Sequence, residues 1–245
     1  MRLIIQDSYA QLSKWAAAYI VKRINEFNPT EDKPFVLGLP TGSTPLGTYR
    51  ELINFYNEKK VSFKNVVTFN MDEYIGLAPE HPQSYHYFMF ENFFKHIDIQ
   101  KKNVHILDGL TKDYAKECSE YERKIKEIGG IHLFIGGVGE DGHIAFNEPN
   151  TPFDTLTHLA DLEQSTIIDN SRFFKSIDEV PTKAMTMGLK SIMNAKKIVL
   201  IAYGKNKAHA VKEMIEGPID ISLPASILQK HNDVTIYCDV DAASL

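Results

Sequence analysis

A short glycine-rich segment places one histidine between two carboxylates. The segment reads Gly136-Gly137-Val138-Gly139-Glu140-Asp141-Gly142-His143-Ile144-Ala145-Phe146-Asn147-Glu148-Pro149. Glycine lets a backbone approach a ligand closely, and histidine exchanges protons near neutral pH while a carboxylate fixes the orientation of its ring. Asp141, His143 and Glu148 are therefore candidate residues for proton transfer in a cleft.

Two other kinds of site compete for this segment. Gly137 to Gly142 match the GxGxxG pattern of dinucleotide sites, but a helix should open at the third glycine, and Pro149 follows too soon for one. A histidine with two carboxylates is also a possible metal-ligand set. A second histidine or cysteine at ligand spacing is missing, and the nearby His132 is expected to be a buried, neutral residue of the preceding strand. We therefore expect neither a nicotinamide nucleotide nor a metal.

A second pair of acids follows another apolar segment. The sequence Phe69-Asn70-Met71-Asp72-Glu73-Tyr74 places adjacent carboxylates at the mouth of a predicted strand. Neighbouring side chains of an extended segment face opposite ways, so the two acids should differ in role. We predict that Asp72 faces the cleft as a base and that Glu73 tethers the loop. Two solvated loop acids are the alternative.

Two further loops carry groups that bind anions. In the first, Leu39-Pro40-Thr41-Gly42-Ser43-Thr44-Pro45, we predict that Ser43 or Thr44 caps a helix with Pro45 in its first turn. Its N–H groups, hydroxyls and positive helix end suit a phosphate monoester, whereas the nucleotide-triphosphate pattern GxxxxGK(S/T) is absent. The second, Gly204-Lys205-Asn206-Lys207, offers an ammonium group beside another helix start. An ordinary capped turn and two solvated lysines are the alternatives.

These loops share one edge of a predicted α/β fold. Short apolar runs rich in β-branched residues predict buried strands at 35–39, 66–70, 131–135, 198–203 and 234–238. Apolar spacings of three and four predict helices at 9–27, 45–56, 114–128 and 205–215. The alternation indicates a single domain over residues 1–245, with a mostly parallel, doubly wound, Rossmann-like sheet and helices on both faces. Ligands of such sheets bind beyond the carboxyl ends of the strands, where all four loops lie.

Composition and charge exclude several classes of protein. The chain has 245 residues, of which 43% are hydrophobic and 24% are charged, as in soluble globular proteins. With 27 basic and 32 acidic residues, its formal net charge of -5 gives no footprint for nucleic acid or anionic membranes. No apolar run approaches the roughly 18 residues of a membrane span, and the first residues lack a secretory signal. We expect a cytoplasmic protein with Cys118 and Cys238 reduced and no nucleic-acid or membrane partner.

Five motifs, in order along the chain, resemble one enzyme family. They are LGLPTGSTP, VVTFNMDEYIGL, GGVGEDGHIAFNEP, NSRFF and the turn at 204–207. Together they resemble the glucosamine-6-phosphate deaminases, of the glucosamine/galactosamine-6-phosphate isomerase family, over nearly the whole chain. The resemblance implies conversion of glucosamine 6-phosphate and water to fructose 6-phosphate and ammonia. It implies an aldose to ketose isomerisation coupled to loss of the amine, without a metal or organic cofactor.

The resemblance also implies roles for single residues. His143, with Asp141 and Glu148, would assist opening of the pyranose ring, and Asp72 would then move the proton at C2. The groups implied to bind the substrate and its phosphate are Thr41, Gly42, Ser43, Thr44, Gly137, Arg172 and Lys207. Arg172 would grip phosphate through two hydrogen bonds, whereas Lys207 would act as a point charge. Residues 162–185 resemble the family's mobile lid, which would close over the substrate.

The sequence departs from the family in one stretch. Members activated by N-acetylglucosamine 6-phosphate have a second phosphate site of serines, an arginine and a lysine after the Asn-Glu-Pro motif. The matching positions here offer no fixed positive charge; they are Thr151, Pro152, His158, Ala160 and Asp161. Leu156 stands where the family has an arginine, and the chain stops at Leu245, short of the tail of the hexameric enzymes. We expect hyperbolic kinetics without allosteric activation, and a monomer or small homo-oligomer rather than a hexamer.

Two other functions are compatible with these motifs. A 6-phosphogluconolactonase shares this fold and a glycine-rich Asp-Gly-His turn but would hydrolyse an ester, and Asn147-Glu148-Pro149 after the turn favours the deaminase. A non-catalytic sugar-phosphate sensor would keep the binding cleft, and the altered stretch around Leu156 is compatible with it. The intact acids and His143 weigh against a sensor, and no DNA-binding module is attached.

Overall fold

A parallel sheet carries the four candidate loops in the computed structural model, which describes residues 1–172 and 174–245. The strands among these residues are β1 (Arg2–Gln6), β2 (Phe35–Leu39), β3 (Val66–Asn70), β4 (Asp72–Tyr74), β5 (Val104–His105), β6 (Leu133–Gly137), β7 (His158–Asp161), β8 (Lys183–Thr186), β9 (Ile198–Ala202) and β10 (Val234–Asp239). Within this described part, seven strands form one sheet in the order β1-β10-β9-β6-β2-β3-β5. All its neighbouring strands are parallel, as the alternation of strands and helices predicts.

Helices cover both faces of this sheet. The α-helices of the described residues are α1 (Tyr9–Phe27), α2 (Leu46–Asn57), α3 (Tyr85–Asn92), α4 (Tyr114–Glu127), α5 (Gln164–Ser171), α6 (Leu189–Met193) and α7 (Ala208–Glu216). Helices α1, α2 and α3 contribute to the hydrophobic core on one face, and α4, α6 and α7 contribute to the core on the other. The predicted three-layer, doubly wound fold is confirmed.

Helix α1 forms where its apolar spacing predicts it. The Ser8 hydroxyl accepts the Gln11 N–H at 3.3 Å, and Asn28 ends the helix in the left-handed region with φ 52°. One buried stripe faces the sheet and includes Leu12, Ala16, Ile20 and Ile24. Burial of one such leucine or isoleucine side chain contributes about 1.5–3 kcal/mol, so packing against the sheet holds this helix in place.

The chain changes direction across the sheet between β2 and β6. From β2 the chain continues through β3 to β5 at one edge, whereas β6 pairs with the opposite side of β2 and leads on to β9 and β10. The loops that leave β2 and β6 therefore diverge and open a crevice at their carboxyl ends. This is the place at which doubly wound sheets bind ligands.

A small antiparallel sheet beside this crevice is not anticipated by the sequence. Its strand order is β4-β8-β7, and Asp72 pairs with Thr186 in it. These strands have three or four residues each, too few to show a hydrophobic period. The sheet fixes the backbone of Asp72 from outside the main sheet.

Several predicted bounds shift at the edges of elements. The strand predicted at 131–135 lies at Leu133–Gly137, and a 3₁₀ turn at Lys205–Lys207 precedes α7. His132 therefore precedes β6 rather than belonging to it. Its Nδ1 accepts the Val36 N–H at 3.0 Å, and burial, with the charges of Lys196 and Lys33, lowers its pKa to about 4. His132 is half-buried rather than buried, and its lowered pKa favours the predicted neutral state near pH 7.

The segment predicted to be a lid has defined structure in its described part. Residues 162–185 include α5, a 3₁₀ turn at Ile177–Glu179 and the first residues of β8; Phe173 lies outside the described residues. Across the described ranges, no helix is both long and apolar enough to cross a membrane.

Candidate active site

A cleft of about 210 Å³ opens at the carboxyl ends of β2, β3 and β6. Most of the residues predicted to form the site line it: Thr41, Gly42, Ser43, Thr44, Asp72, Gly137, His143, Arg172 and Lys207. The other two, Asp141 and Glu148, contact the ring of His143. The structure thus brings together four loops that are far apart in the sequence.

The loop after β2 is held by a residue outside it. Helix α2 has Pro45 as its N-cap, without a side-chain capping bond, so the prediction that Ser43 or Thr44 caps it is wrong. The Tyr9 hydroxyl accepts the Gly47 N–H at 2.8 Å and donates to the Thr44 carbonyl at 2.9 Å. Pro45 occupies the N-cap position and has no side chain that can accept a hydrogen bond. A tyrosine from α1 therefore caps α2 in its place.

Gly42 shapes the same loop. Its φ is +84°, and a Cβ built there meets nothing within 4 Å. The space is open, so the backbone conformation alone favours glycine at this position. Thr41, Ser43 and Thr44 of this loop line the cleft, and hydroxyls with backbone N–H groups are the donors that a phosphate-binding loop uses.

The turn that carries Lys207 is anchored by two carboxylates. The Gly204 N–H donates to both Asp239 oxygens, at 3.0 and 3.1 Å. The Asn206 amide donates to Glu140 Oε1 at 2.6 Å. Asp239 ends β10, and Glu140 belongs to the loop after β6. Both anchors place Lys207 on the cleft, facing the loop after β2.

Asp72 lies at the floor of the cleft and is almost completely buried, with 5% of its surface exposed. Burial, reinforced by the charge of Glu73, raises the pKa of Asp72 well above its usual range. Its Oδ1 makes no hydrogen bond with any residue that the structure describes. A buried carboxylate oxygen without a partner is costly. Asp72 also lines the cleft, which places its carboxylate to accept a proton from a bound molecule.

Glu73 points the other way and binds backbone, as the alternation of side chains predicts. Its Oε1 accepts the N–H groups of Tyr74 and Tyr85, and its Oε2 accepts that of His86, each at 2.9 Å. Burial raises the pKa of Glu73 to about 7, although the three hydrogen bonds oppose that rise. Glu73 therefore ties β4 to the start of α3, and the predicted tether is confirmed.

His143 contacts both flanking carboxylates through one nitrogen. Its Nδ1 lies 2.7 Å from Asp141 Oδ1 and 3.6 Å from Glu148 Oε2. Partial burial raises the pKa of Asp141, but hydrogen bonds and the charge of His143 outweigh it and lower that pKa to about 2. A side chain on Gly139 would overlap His143 Nδ1, so glycine is needed there for this close approach. Asp141 Oδ1 also accepts the His143 backbone N–H at 3.1 Å. Because Nδ1 faces the two carboxylates, Nε2 is the ring nitrogen left for a ligand.

The segment after Gly142 is a compact turn. Gly142 has φ +83°, and the turn closes through an isolated bridge between Ile144 and Asn147. The buried amide of Asn147 donates to the carbonyls of Ile144 and Met187, each at 2.8 Å. No helix opens at Gly142 in this described segment, so the GxGxxG match lacks the helix that a dinucleotide site requires.

The same three side chains have ligand atoms close enough to hold a metal ion. One atom from each of Asp141, His143 and Glu148 lies within 4.8 Å of the others. The His143–Asp141 contact at 2.7 Å is what a histidine oriented for proton transfer needs. The expectation that no metal resides here stays a prediction.

Several residues that line the cleft are absent from the sequence-based prediction. Tyr85, Thr166 and Asn170 line the cleft, and the Thr166 hydroxyl donates to Glu148 Oε1 at 2.7 Å. Thr166 and Asn170 are four residues apart on α5, a spacing that puts them on one helix face. Both residues lie just before Arg172, a predicted site residue, and a helix there would have placed them beside it. The sequence does not predict that helix, because α5 has eight residues, too few for a clear helical period.

The stretch that departs from the allosteric members packs against α4. Glu122 of α4 accepts the N–H of Thr157 at 3.0 Å and its hydroxyl at 2.5 Å. Asp161 contacts the ammonium group of Lys183 at 2.8 Å. Leu156, at 44% exposure, extends into solvent. Asp161 therefore forms an exposed ion pair with Lys183.

Comparison with known proteins agrees with this geometry. The family model described as glucosamine-6-phosphate isomerases/6-phosphogluconolactonase matches residues 7–237. The chain is 56% identical over 245 residues to glucosamine-6-phosphate deaminases of Treponema denticola and Thermoanaerobacter sp., covering 100% of this chain and 90% and 95% of theirs.

Solved structures give the same result for the fold. A monomeric glucosamine-6-phosphate deaminase matches with a TM-score of 0.96 and 42% identity, over 100% of both chains. A 6-phosphogluconolactonase from Trypanosoma cruzi matches with a TM-score of 0.77 and 20% identity, over 99% of this chain and 96% of its own. The second likeness concerns the fold alone. The chain belongs to the family of glucosamine-6-phosphate isomerases and 6-phosphogluconolactonases.

Proposed function

We propose that this chain is a glucosamine-6-phosphate deaminase, which converts glucosamine 6-phosphate and water to fructose 6-phosphate and ammonia. One observation carries the proposal: the buried carboxylate of Asp72 and the carboxylate-bound ring of His143 face the same cleft as the phosphate-binding groups. An isomerase acting on a sugar phosphate needs these three functions together. The names of relatives at 56% identity support the same substrate.

The phosphate would bind between the loop after β2 and two cations. Backbone N–H groups and the hydroxyls of Thr41, Ser43 and Thr44 would accommodate its oxygens. Arg172 and Lys207, which also line the cleft, would balance its charge. Binding at this end of the cleft leaves the sugar ring beside Asp72 and His143.

Ring opening is the task proposed for His143. Its Nε2 would take the proton of the anomeric hydroxyl and deliver it to the ring oxygen, which opens the pyranose to the aldehyde. Asp141, whose pKa is lowered to about 2, stays ionised and stabilises the protonated ring during the transfer. Glu148 would add a second negative charge near Nδ1.

Asp72 would then carry out the isomerisation. It removes the proton at C2 of the open chain, giving an enolamine, and a proton returns at C1, giving an imine at C2. Water hydrolyses that imine to the ketone of fructose 6-phosphate and releases ammonia. A raised pKa makes Asp72 a stronger base, and the cationic amine of the substrate favours its ionised form.

The absence of allosteric activation and of a hexamer also forms part of the proposal. At the positions that match the allosteric phosphate site, Asp161 adds a negative charge and already contacts Lys183. These positions supply no unpaired fixed positive charge, so the phosphate of an acetylated sugar phosphate would find no cation to bind there. The similarity to a monomeric deaminase supports a small assembly, and a phosphorylated sugar substrate suits a cytoplasmic enzyme.

The experiment that tests the function compares two substrates. Purified protein is assayed for ammonia and fructose 6-phosphate with glucosamine 6-phosphate, and for acid release with 6-phosphogluconolactone. We expect equal amounts of ammonia and fructose 6-phosphate, and no hydrolysis of the lactone above the uncatalysed rate. Hydrolysis of the lactone without ammonia release would show a lactonase. Binding of both ligands without turnover would show a sensor.

A further inference from the structure

Helix α5 touches the proton-transfer group directly through one hydroxyl. Thr166 donates to Glu148 Oε1 at 2.7 Å, and both residues are buried, with 7% and 6% of their surfaces exposed. In the described part of the chain, the other oxygen, Oε2, has no hydrogen-bond partner. It lies 3.6 Å from His143 Nδ1, just beyond hydrogen-bond distance.

A carboxylate is planar and rigid, so a bond to one oxygen restricts where the other can lie. Thr166 therefore helps to set the distance between Glu148 Oε2 and the ring of His143. A shift of Oε2 by about 0.5 Å would bring it within hydrogen-bond distance of Nδ1. A small movement of α5 would therefore change the distance between Glu148 Oε2 and His143 Nδ1.

The same helix reaches the phosphate end of the cleft. Asn170, four residues after Thr166, interacts with the Tyr74 side chain next to Asp72 and Glu73, and Arg172 follows the last residue of α5. Thr166, Asn170 and Arg172 all line the cleft. Groups at both ends of α5 therefore face the same bound substrate. A change in the position of α5 on binding of the substrate phosphate would thus also move the group that contacts Glu148.

We propose that Thr166 is a positioning residue, which holds Glu148 against His143 and couples ring opening to the placement of α5 over the bound sugar phosphate. This inference rests on the proposed deaminase function. It assigns Thr166 no direct contact with the reacting atoms. Its effect passes through Glu148.

The test compares three threonine variants with the wild type. Thr166→Val removes the hydroxyl at nearly constant volume, and Thr166→Ser keeps it. Thr68→Val is the matched control, because the buried hydroxyl of Thr68 makes no hydrogen bond with a described residue. We expect Thr166→Val to lower kcat by about 10- to 100-fold, as for loss of a hydrogen bond to a charged group, with little change in KM. Thr166→Ser should recover most of kcat, and Thr68→Val should match the wild type.

A double variant separates positioning from a general structural effect. In a Glu148→Gln background no carboxylate remains to be positioned, so Thr166→Val should lower kcat by less than about threefold. The melting temperature of every variant is measured, and Thr166→Ala replaces Thr166→Val if the valine variant does not fold.

Two results overturn the inference alone: an active wild type with a fully active Thr166→Val, or full additivity with Glu148→Gln. An inactive wild type overturns the proposed function, and the role of Thr166 with it.

Discussion

At the scale of single residues, the cleft separates two carboxylates that are adjacent in the sequence. Asp72 lines the cleft, and one of its oxygens has no hydrogen-bond partner among the described residues, whereas Glu73 accepts three backbone N–H groups. Burial raises the pKa of both, but hydrogen bonds partly offset that effect for Glu73. Because neighbouring side chains of a strand point to opposite faces, Asp72 is placed for chemistry and Glu73 for a structural role.

Substitution Asp72→Asn tests the role of the buried acid. The amide has nearly the same shape but cannot take a proton from carbon, so kcat should fall by roughly 10²- to 10⁴-fold. Binding of fructose 6-phosphate, measured by calorimetry, should stay within about threefold, because the phosphate contacts are unchanged. Asp32→Asn, at an exposed loop position, is the matched control and should be fully active. Undiminished turnover in Asp72→Asn would remove Asp72 from the mechanism.

The residues of the site were predictable where a motif directly follows an apolar strand. Asp72, His143 and the loop after Leu39 follow buried strands, so their common edge could be inferred. Tyr9, Thr166 and Asn170 reach the site from helices. Their contacts depend on how those helices pack, which a local pattern does not encode. For the same reason the capping role went to Tyr9 instead of Ser43 or Thr44.

At the scale of elements, the strands and helices with long apolar patterns were predictable and the short ones were not. Strands β2 and β3 and helix α1 have the predicted bounds, because full burial leaves a continuous apolar run and half burial leaves a helical stripe. The antiparallel strands β4, β7 and β8 are too short and too mixed in polarity for either pattern. They form because the parallel sheet and its loops bring them together.

Helix α1 acts on the phosphate loop through Tyr9. Its hydroxyl bridges Gly47 and Thr44, and its ring packs on Tyr203 with centroids 4.5 Å apart. Tyr203 directly precedes the turn that carries Lys207. Tyr9 therefore connects both segments that would hold the phosphate.

Substitution Tyr9→Phe keeps the ring and removes the hydroxyl. Loss of a helix cap costs about 1 kcal/mol, so KM for glucosamine 6-phosphate and Ki for inorganic phosphate should each rise by about fivefold. The value of kcat should change little, because Asp72 and His143 are untouched. Tyr19→Phe on the same helix is the control. A lower melting temperature with unchanged KM and Ki would limit Tyr9 to a structural role.

His132, which lies between β2 and β6, makes the free energy of unfolding sensitive to mild acid. His132 has a folded pKa of about 4, against an ordinary value of 6.5. Between these values the unfolded chain binds a proton that the folded chain does not. The contribution of His132 to stability is therefore complete above pH 6.5 and is lost as the pH falls through about 4.

Substitution His132→Asn keeps an acceptor for the Val36 N–H and cannot be protonated. The free energy of unfolding in urea should therefore fall less between pH 7 and pH 4.5 in this variant than in the wild type. At pH 7 the variant should be less stable, because it loses the packing of the ring on Phe27 and Phe35. An equal decrease on acidification in both proteins would show that other groups cause it.

At the scale of the whole molecule, the switch point between β2 and β6 accounts for the site. It brings residues 41–44, 72, 137–140, 143 and 207 to one cleft although they span most of the chain. The stretch at 151–161 lies outside this cleft, packed on α4 through Glu122. The catalytic cleft and the stretch at 151–161 are therefore separate in space.

The altered stretch predicts simple kinetics. The rate should depend hyperbolically on glucosamine 6-phosphate, with a Hill coefficient of about 1, and N-acetylglucosamine 6-phosphate should not raise the rate at low substrate. Light scattering on the same sample should show an assembly smaller than a hexamer. A sigmoidal curve that becomes hyperbolic with the acetylated sugar would contradict this prediction.

The most direct test of the account follows the nitrogen atom of the substrate. Glucosamine 6-phosphate labelled with nitrogen-15 is incubated with the wild type and with Asp72→Asn, and the products are recorded by NMR. The account predicts that the wild type moves the label to ammonium as fructose 6-phosphate appears in equal amount, and that Asp72→Asn leaves the label on the sugar. Label that stays on the sugar with the wild type, or that leaves equally fast with Asp72→Asn, would contradict it.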